Sequence, residues 1–162
     1  MFSCSPRALR LVVAASVLLA PACSSNTPSP TQVLRAVISV NTDPNPVPAV
    51  AATRLGSAFS ARFKVVIKEL AGQGGEIQAV NSTLYDDSTG LIVGLVNYDT
   101  SDLIVFVGQK RVEANGTLEV PIQMDYAIPS DPTIKAARLQ VLVNLKDDRG
   151  NNVSSSVLVR VQ

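Results

Sequence analysis

Apolar and polar residues alternate with a period of two through long stretches of the chain beyond residue 32. In the clearest stretch, apolar side chains from Phe59 through Ala61 and Phe63 to Ile67 alternate with serine, arginine and lysine. This alternation predicts a strand that has one face toward a core and one face toward solvent. The same pattern predicts three more strands of this kind, at 118–126, 138–146 and 153–161.

Four other segments are apolar without strict alternation, and we expect strands there too. These segments are 33–40, 77–85, 91–96 and 103–107. Turn-forming runs separate them, of which Asn115-Gly116 and the Asp/Gly/Asn run at 147–152 are the strongest. No segment beyond the first 22 residues has helical periodicity. Seven to nine short strands in about 130 residues predict an all-β fold, a two-sheet antiparallel sandwich.

The N-terminus has the three zones of a secretory signal. Residues 1–10 carry Arg7 and Arg10 without an acid, residues 11–20 are apolar except for one serine, and Ala20-Pro21-Ala22 offers small residues at a cleavage site. The apolar run is too short to cross ~30 Å of hydrocarbon. We therefore expect residues 1–22 to be a cleaved signal helix, with the cut between Ala22 and Cys23.

The end of this signal resembles the lipobox of bacterial lipoproteins, in which the cysteine after the cut is lipidated. Ala22 and Cys23 fit the motif, whereas Ala20 stands where leucine is commoner and Pro21 is unusual at its place. The resemblance implies a palmitate-type lipid anchor on Cys23. It also implies export to the cell envelope, with Ser24 indicating the outer membrane and a domain facing the periplasm or the exterior. The alternative is an ordinary cut that leaves Cys23 as a free thiol.

Residues 23–32 are rich in serine, threonine and proline and predict a flexible tether. The region 33–162 resembles bacterial immunoglobulin-like domains of the cell envelope. The resemblance depends on the Asn45-Pro46 kink, the turn at 86–90 and the hairpin loop at 147–152. It implies that the proline-rich segment 43–48 lies at a sheet edge and lets the first strand switch sheets.

Charge and cysteine content limit the partners of this domain. Removal of the signal takes Cys4 and two of the 14 basic residues, which leaves 12 bases against 13 acids and a formal charge of −1. No block of like charge is present, so we expect no nucleic-acid partner. With Cys23 lipidated, the domain has no cysteine and no disulfide.

The chain contains no histidine, so Ser-His-Asp and Cys-His mechanisms are excluded along with the usual zinc and copper sites. We expect a protein that is not an enzyme and needs no cofactor. Asp147, Asp148 and Asn151 are candidates for a calcium site, because carboxylate and amide oxygens from a loop suit that ion. The alternative is that these residues only satisfy turn geometry. Tyr85 and Tyr98 could contact a glycan or pack at the rim of the sandwich.

The segments 91–96 and 103–107 are apolar on both faces. They predict either a centrally buried strand pair or an exposed edge that binds a partner by strand addition or dimerisation. The candidate contact residues are Leu91, Val93, Leu103 and Val105. The sequence thus favours a lipid-anchored envelope protein that presents an immunoglobulin-like domain for protein–protein contact or a structural role. A calcium- or glycan-binding module at the cell surface is the alternative, and the oligomeric state is left open.

Overall fold

The computed structural model describes residues 34–129, 131 and 133–162. The predictions for the signal (1–22), the cut between Ala22 and Cys23, the lipidation of Cys23 and the tether (23–32) lie outside the described residues. Within the described part of the chain, no helix has the length and apolar character needed to span a bilayer.

The described chain forms nine strands and one helix. Their bounds are β1 Ile38–Asp43, β2 Ala49–Ala51, β3 Phe59–Glu69, β4 Gly75–Asp86, β5 Ile92–Asp99, α1 Thr100–Val107, β6 Arg111–Val112, β7 Thr117–Tyr126, β8 Ala137–Asp147 and β9 Asn152–Val161. In the first sheet, β3 pairs with β1 and β2 along one side and with β7 along the other. The second sheet has the order β5-β4-β8-β9, with β6 also paired to β4. All of these pairings are antiparallel.

The period-two alternation places one face of each long strand in the core. Val65, Ile67, Val120, Leu139 and Val141 are each 0% exposed, and their sequence neighbours point outward. The core is therefore a layer of aliphatic side chains between the two sheets, as two facing sheets of this kind require. The predicted fold class, an all-β antiparallel sandwich of two sheets, is confirmed.

The proline-rich segment 43–48 behaves as predicted. After β1 leaves the first sheet, Val47 bridges Val161 of the second sheet in parallel orientation. The Val47 amide donates to the Arg160 carbonyl at 3.0 Å, and the Gln162 amide donates back to Val47 at 3.0 Å. The chain then returns to the first sheet as β2. This exchange joins the two sheets along one side of the sandwich.

The predicted strand at 103–107 is wrong, because these residues belong to the helix α1. β5 continues through Asp99, and Asp99 then caps the helix. The Asp99 carboxylate accepts from the amides of Ser101 (2.7 Å) and Asp102 (3.0 Å), while the Asp102 carboxylate accepts from the Asp99 amide. Gly108 ends the helix in the left-handed region at φ 81°. This reciprocal capping stabilises a helix where composition alone suggested a strand.

Candidate interaction surface

The four residues proposed as partner contacts have different environments. Leu91 is 58% exposed and Val105 is 75% exposed, so both can meet a partner. Leu103 is fully buried and fixes α1 to the sandwich. Val93 is half-buried and packs against the core. Two of the four residues therefore face solvent, and the other two face inward.

A β-bulge explains part of this difference. Tyr85 pairs with Ile92 while Leu84 pairs with Gly94, so Val93 is an extra residue that shifts the phase of β5. As a result, Ile92 and Leu95 both point to the solvent face, although they are three positions apart. In α1, the helical period buries Leu103 and leaves the three following side chains outside.

Six large hydrophobic side chains in the sixteen residues from 91 to 106 are exposed. They are Leu91 58%, Ile92 61%, Leu95 57%, Ile104 52%, Val105 75% and Phe106 57%. We call this set the β5–α1 surface. The described residues contain thirteen such exposed side chains in all, so nearly half are concentrated in this short segment. Concentration of this kind marks an interaction site more often than scattered exposure does.

The helix and the strand of this surface are packed against each other. The rings of Tyr98 and Phe106 stack with centroids 5.2 Å apart and an angle of 23° between their planes. Burial raises the pKa of the Tyr98 hydroxyl, with the Asp102 carboxylate adding to the effect. Tyr98 thus serves as a packing residue beneath the β5–α1 surface.

The outer faces of the two sheets differ in charge. On the first sheet, Arg62, Lys64, Lys68 and Glu119 point outward, and Lys64 pairs with Glu119 at 2.7 Å. The middle of the second sheet's outer face is uncharged instead. Its residues are Asn81, Thr83, Tyr85, Gln140, Leu142, Asn144, Ser154, Ser156 and Leu158. Leu95 lies opposite Thr83, so the β5–α1 surface continues this uncharged face to the sheet edge.

A shallow groove of about 440 Å³ lies toward one end of this face, lined by Tyr85, Gln140 and Leu158 and by the charged Arg138 among others. The Tyr85 hydroxyl donates to Gln140 at 3.2 Å. Of the two tyrosines considered for glycan contact, Tyr85 reaches the outer face whereas Tyr98 stacks on α1.

The adjacent carboxylates of Asp147 and Asp148 form hydrogen bonds and an ion pair with other groups of the protein. The Asp147 carboxylate accepts from the amides of Ala36 (3.1 Å), Arg149 (3.0 Å) and Asn151 (2.8 Å), and from the Asn151 side chain (2.9 Å). Asp148 forms a two-bond pair with the Arg111 guanidinium, both contacts at 2.7 Å. These contacts are those expected of residues that stabilise a turn and fasten neighbouring strands. Within the described residues, no cluster of three or more acidic or other metal-binding side chains is present.

Glu69 is an anchoring residue that the sequence did not reveal. Its carboxylate, on a residue only 2% exposed, accepts from the amides of Ala71 and Gly72 (2.8 Å each), Asn115 (3.0 Å) and Val37 (3.3 Å). Burial opposes ionisation, but the four amides outweigh it and lower the pKa of Glu69. Two of the four donors, Val37 and Asn115, are 32 and 46 positions away in the sequence, so a local motif does not reveal the full role of Glu69.

Acid should destabilise the domain. Hydrogen bonds from the Thr89 and Ser88 side chains lower the pKa of Asp86 to about 2, and the pKa values of Glu69 and Asp147 are also lowered. A carboxylate whose pKa is lowered by folding stabilises the folded state. This stabilisation is complete above the unfolded pKa values of 3.8 for aspartate and 4.5 for glutamate, and it is lost as pH falls toward 2. With no histidine, we expect a flat thermal midpoint from pH 5.5 to 8 and a steady fall below pH 4.5. Thermal unfolding followed by circular dichroism checks this, and a midpoint that stays constant to pH 2 would contradict it.

No protein-family model matches the chain, and no curated protein sequence matches it either. Solved structures of other proteins have a similar fold. The structural-genomics target SoR45 aligns with a TM-score of 0.54 at 10% identity, over 78% of this chain and 85% of that one. The putative ApaA protein from Bordetella pertussis aligns with a TM-score of 0.53 at 14% identity, over 76% and 93%. Murine CRIg aligns at only 0.41, with 15% identity over 78% and 97%. The first two support the sandwich fold, and identities this low carry no argument about function.

Proposed function

We propose that this protein is a lipid-anchored component of the bacterial cell envelope whose sandwich domain contacts another protein. The observation that carries the contact is the β5–α1 surface, with six exposed hydrophobic side chains in one short segment. The Ala20-Pro21-Ala22-Cys23 sequence supports export and anchoring. On this proposal the tether holds the domain near the membrane. The apolar surface binds a protein there and the domain catalyses no reaction.

The anchor is tested by replacing its cysteine. We expect the parent protein to sediment with membranes and to incorporate labelled palmitate, and Cys23→Ala to do neither, because each buried acyl CH₂ contributes about 0.8 kcal/mol to membrane binding. Cys4→Ala is the matched control, since Cys4 lies in the segment expected to be removed. Membrane fractionation and autoradiography give the result. An anchor elsewhere is indicated if Cys23→Ala still sediments with membranes, and an unlipidated Cys23 if the parent takes up no label.

The contact is tested separately in crosslinked envelopes. The double variant Leu95→Lys/Val105→Lys places two charges on the β5–α1 surface and should reduce recovery of crosslinked complexes at least tenfold. The control is Val50→Lys/Leu158→Lys, which adds the same charge at sites of similar exposure, 54% and 63%. Equal recovery from both double variants would show that the contact lies elsewhere.

A further inference from the structure

The four sheet edges of the sandwich are not equally protected. β7 carries Pro121, which lacks an amide donor, and the charges of Glu119 and Asp125. The β9 edge is partly covered by the Val47 bridge, which also links it to the side bearing β1 and β2. From Leu91 to Tyr98 the β5 edge has neither a proline nor a charged side chain. The bulge at Val93 disrupts only the start of this edge. The stretch from Gly94 to Tyr98 has no proline, charge or bulge, and such an edge is a site for strand pairing.

We propose that a second copy of this chain occupies the β5–α1 surface, with the two β5 strands paired antiparallel so that the second sheet continues from one copy into the other. This inference rests on the proposed function in placing the contact at the β5–α1 surface. It adds the identity of the partner and the geometry of the complex.

Charge favours a second copy as the occupant. In a two-fold symmetric contact, the same patch meets itself, so any charge near the axis would face a like charge. β5 is uncharged until its last residue, Asp99, and that carboxylate is already bonded to the amides of Ser101 and Asp102. Antiparallel pairing also places Asp99 of one copy beside the start of β5 in the other. The two Asp99 side chains are therefore at opposite ends of the strand pair.

The geometry limits the register. Residues directly opposed in an antiparallel pair point to the same face of the sheet. In a symmetric pair, the residue at the two-fold axis must therefore lie opposite the same residue of the other copy. The central candidates for that residue are Leu95 and Val96. Since α1 begins directly after β5, the two helices lie at opposite ends of the shared strands, each beside the other copy.

The expected interface is small. A strand of eight residues is about 26 Å long. The side of a two-layer sandwich is roughly 20 Å deep when side chains are included, which gives on the order of 500 Å² per copy. The total of about 1,000 Å² is at the lower limit for a specific contact. We therefore expect a weak dimer, favoured when a membrane anchor concentrates the chains.

Two measurements test this on the full chain carrying Cys23→Ala, in which an added cysteine is the sole thiol after signal removal. First, Leu95→Cys should form a covalent dimer with a short bismaleimide crosslinker, whereas Leu158→Cys, similarly exposed on the far edge of the same sheet, should give no covalent dimer. Second, sedimentation equilibrium should give a dimer whose dissociation constant rises at least tenfold with Leu95→Lys and is unchanged with Leu158→Lys. Circular dichroism confirms that each variant is folded.

A monomer at every concentration up to about 1 mM, with no covalent dimer from position 95, would overturn the proposal of a second copy. If position 95 instead gave a crosslinked product with another envelope protein, the proposed function would stand and the second copy would be excluded. Dimerisation that is equally sensitive to Leu95→Lys and Leu158→Lys would also contradict pairing through β5.

Discussion

Replacing Glu69 with alanine is expected to lower the free energy of unfolding by about 3 kcal/mol. The substitution leaves the amides of Val37, Ala71, Gly72 and Asn115 without their shared acceptor. An unsatisfied buried donor costs about 1–3 kcal/mol, and bonds to a charged acceptor are at the upper end of that range. Water that enters the end of the sandwich forms hydrogen bonds with some of these amides. The expected loss of stability is therefore that of one to two unsatisfied donors rather than four.

Glu119→Ala is the matched control for this experiment. Glu119 is the same residue type on the solvent face of β7, its side chain is 51% exposed, and its ion pair is with Lys64. Exposed ion pairs contribute about 0–1 kcal/mol. Urea unfolding of both variants measures the difference. If Glu69→Ala lost no more stability than Glu119→Ala, the carboxylate would not be the anchor described here.

The second large effect is expected at Leu103. Leu103→Ala removes the one fully buried side chain of α1 and should lower the free energy of unfolding by about 2–4 kcal/mol, as truncation of a buried leucine does. Val105→Ala is the control on the same helix. Val105 is 75% exposed, and alanine has the higher helix propensity, so that variant should be neutral or slightly stabilising. Urea unfolding measures both variants, and equal losses would contradict the assignment of Leu103 as the residue that fixes α1.

Glu69 and Asp147 also hold the first described residues against the sandwich. Asp147 binds the Ala36 amide, and Glu69 binds the Val37 amide. The first described residues are thereby fastened by two carboxylates from different strands. Each carboxylate accepts several bonds at once, so it ties this segment to other parts of the described domain.

The long strands could be predicted from the sequence because their side chains alternate between core and solvent, as in β3, β7, β8 and β9. In the region from Leu91 to Val107 the strand at 91–96 was also predicted, but the register of β5 and the helix α1 were not, for two physical reasons. The bulge at Val93 breaks the alternation, and the run Leu103–Val107 is rich in β-branched residues that favour strands in isolation. The signals that identify the helix are Asp99 and Asp102 at capping spacing and Gly108 after the last turn.

The sequence indicates which segment carries the candidate surface, but it does not indicate which side chains of that segment are exposed. An apolar run with few charges identified 91–107 as unusual, but the exposure of Ile92, Leu95 and Phe106 depends on the register of β5 and the rotation of α1. Long-range contacts, such as the bond from the Asn115 amide to Glu69, leave no local pattern in the sequence at all.

The most direct test of the account is photo-crosslinking in living cells. A photoreactive amino acid at position 95 reports on the β5–α1 surface, and one at position 50, which is 54% exposed on β2, reports on a surface outside it. The account predicts a discrete protein adduct from position 95 and none from position 50. Adducts of equal yield from both positions, or an adduct from position 50 alone, would contradict the claim that this domain binds protein through the β5–α1 surface.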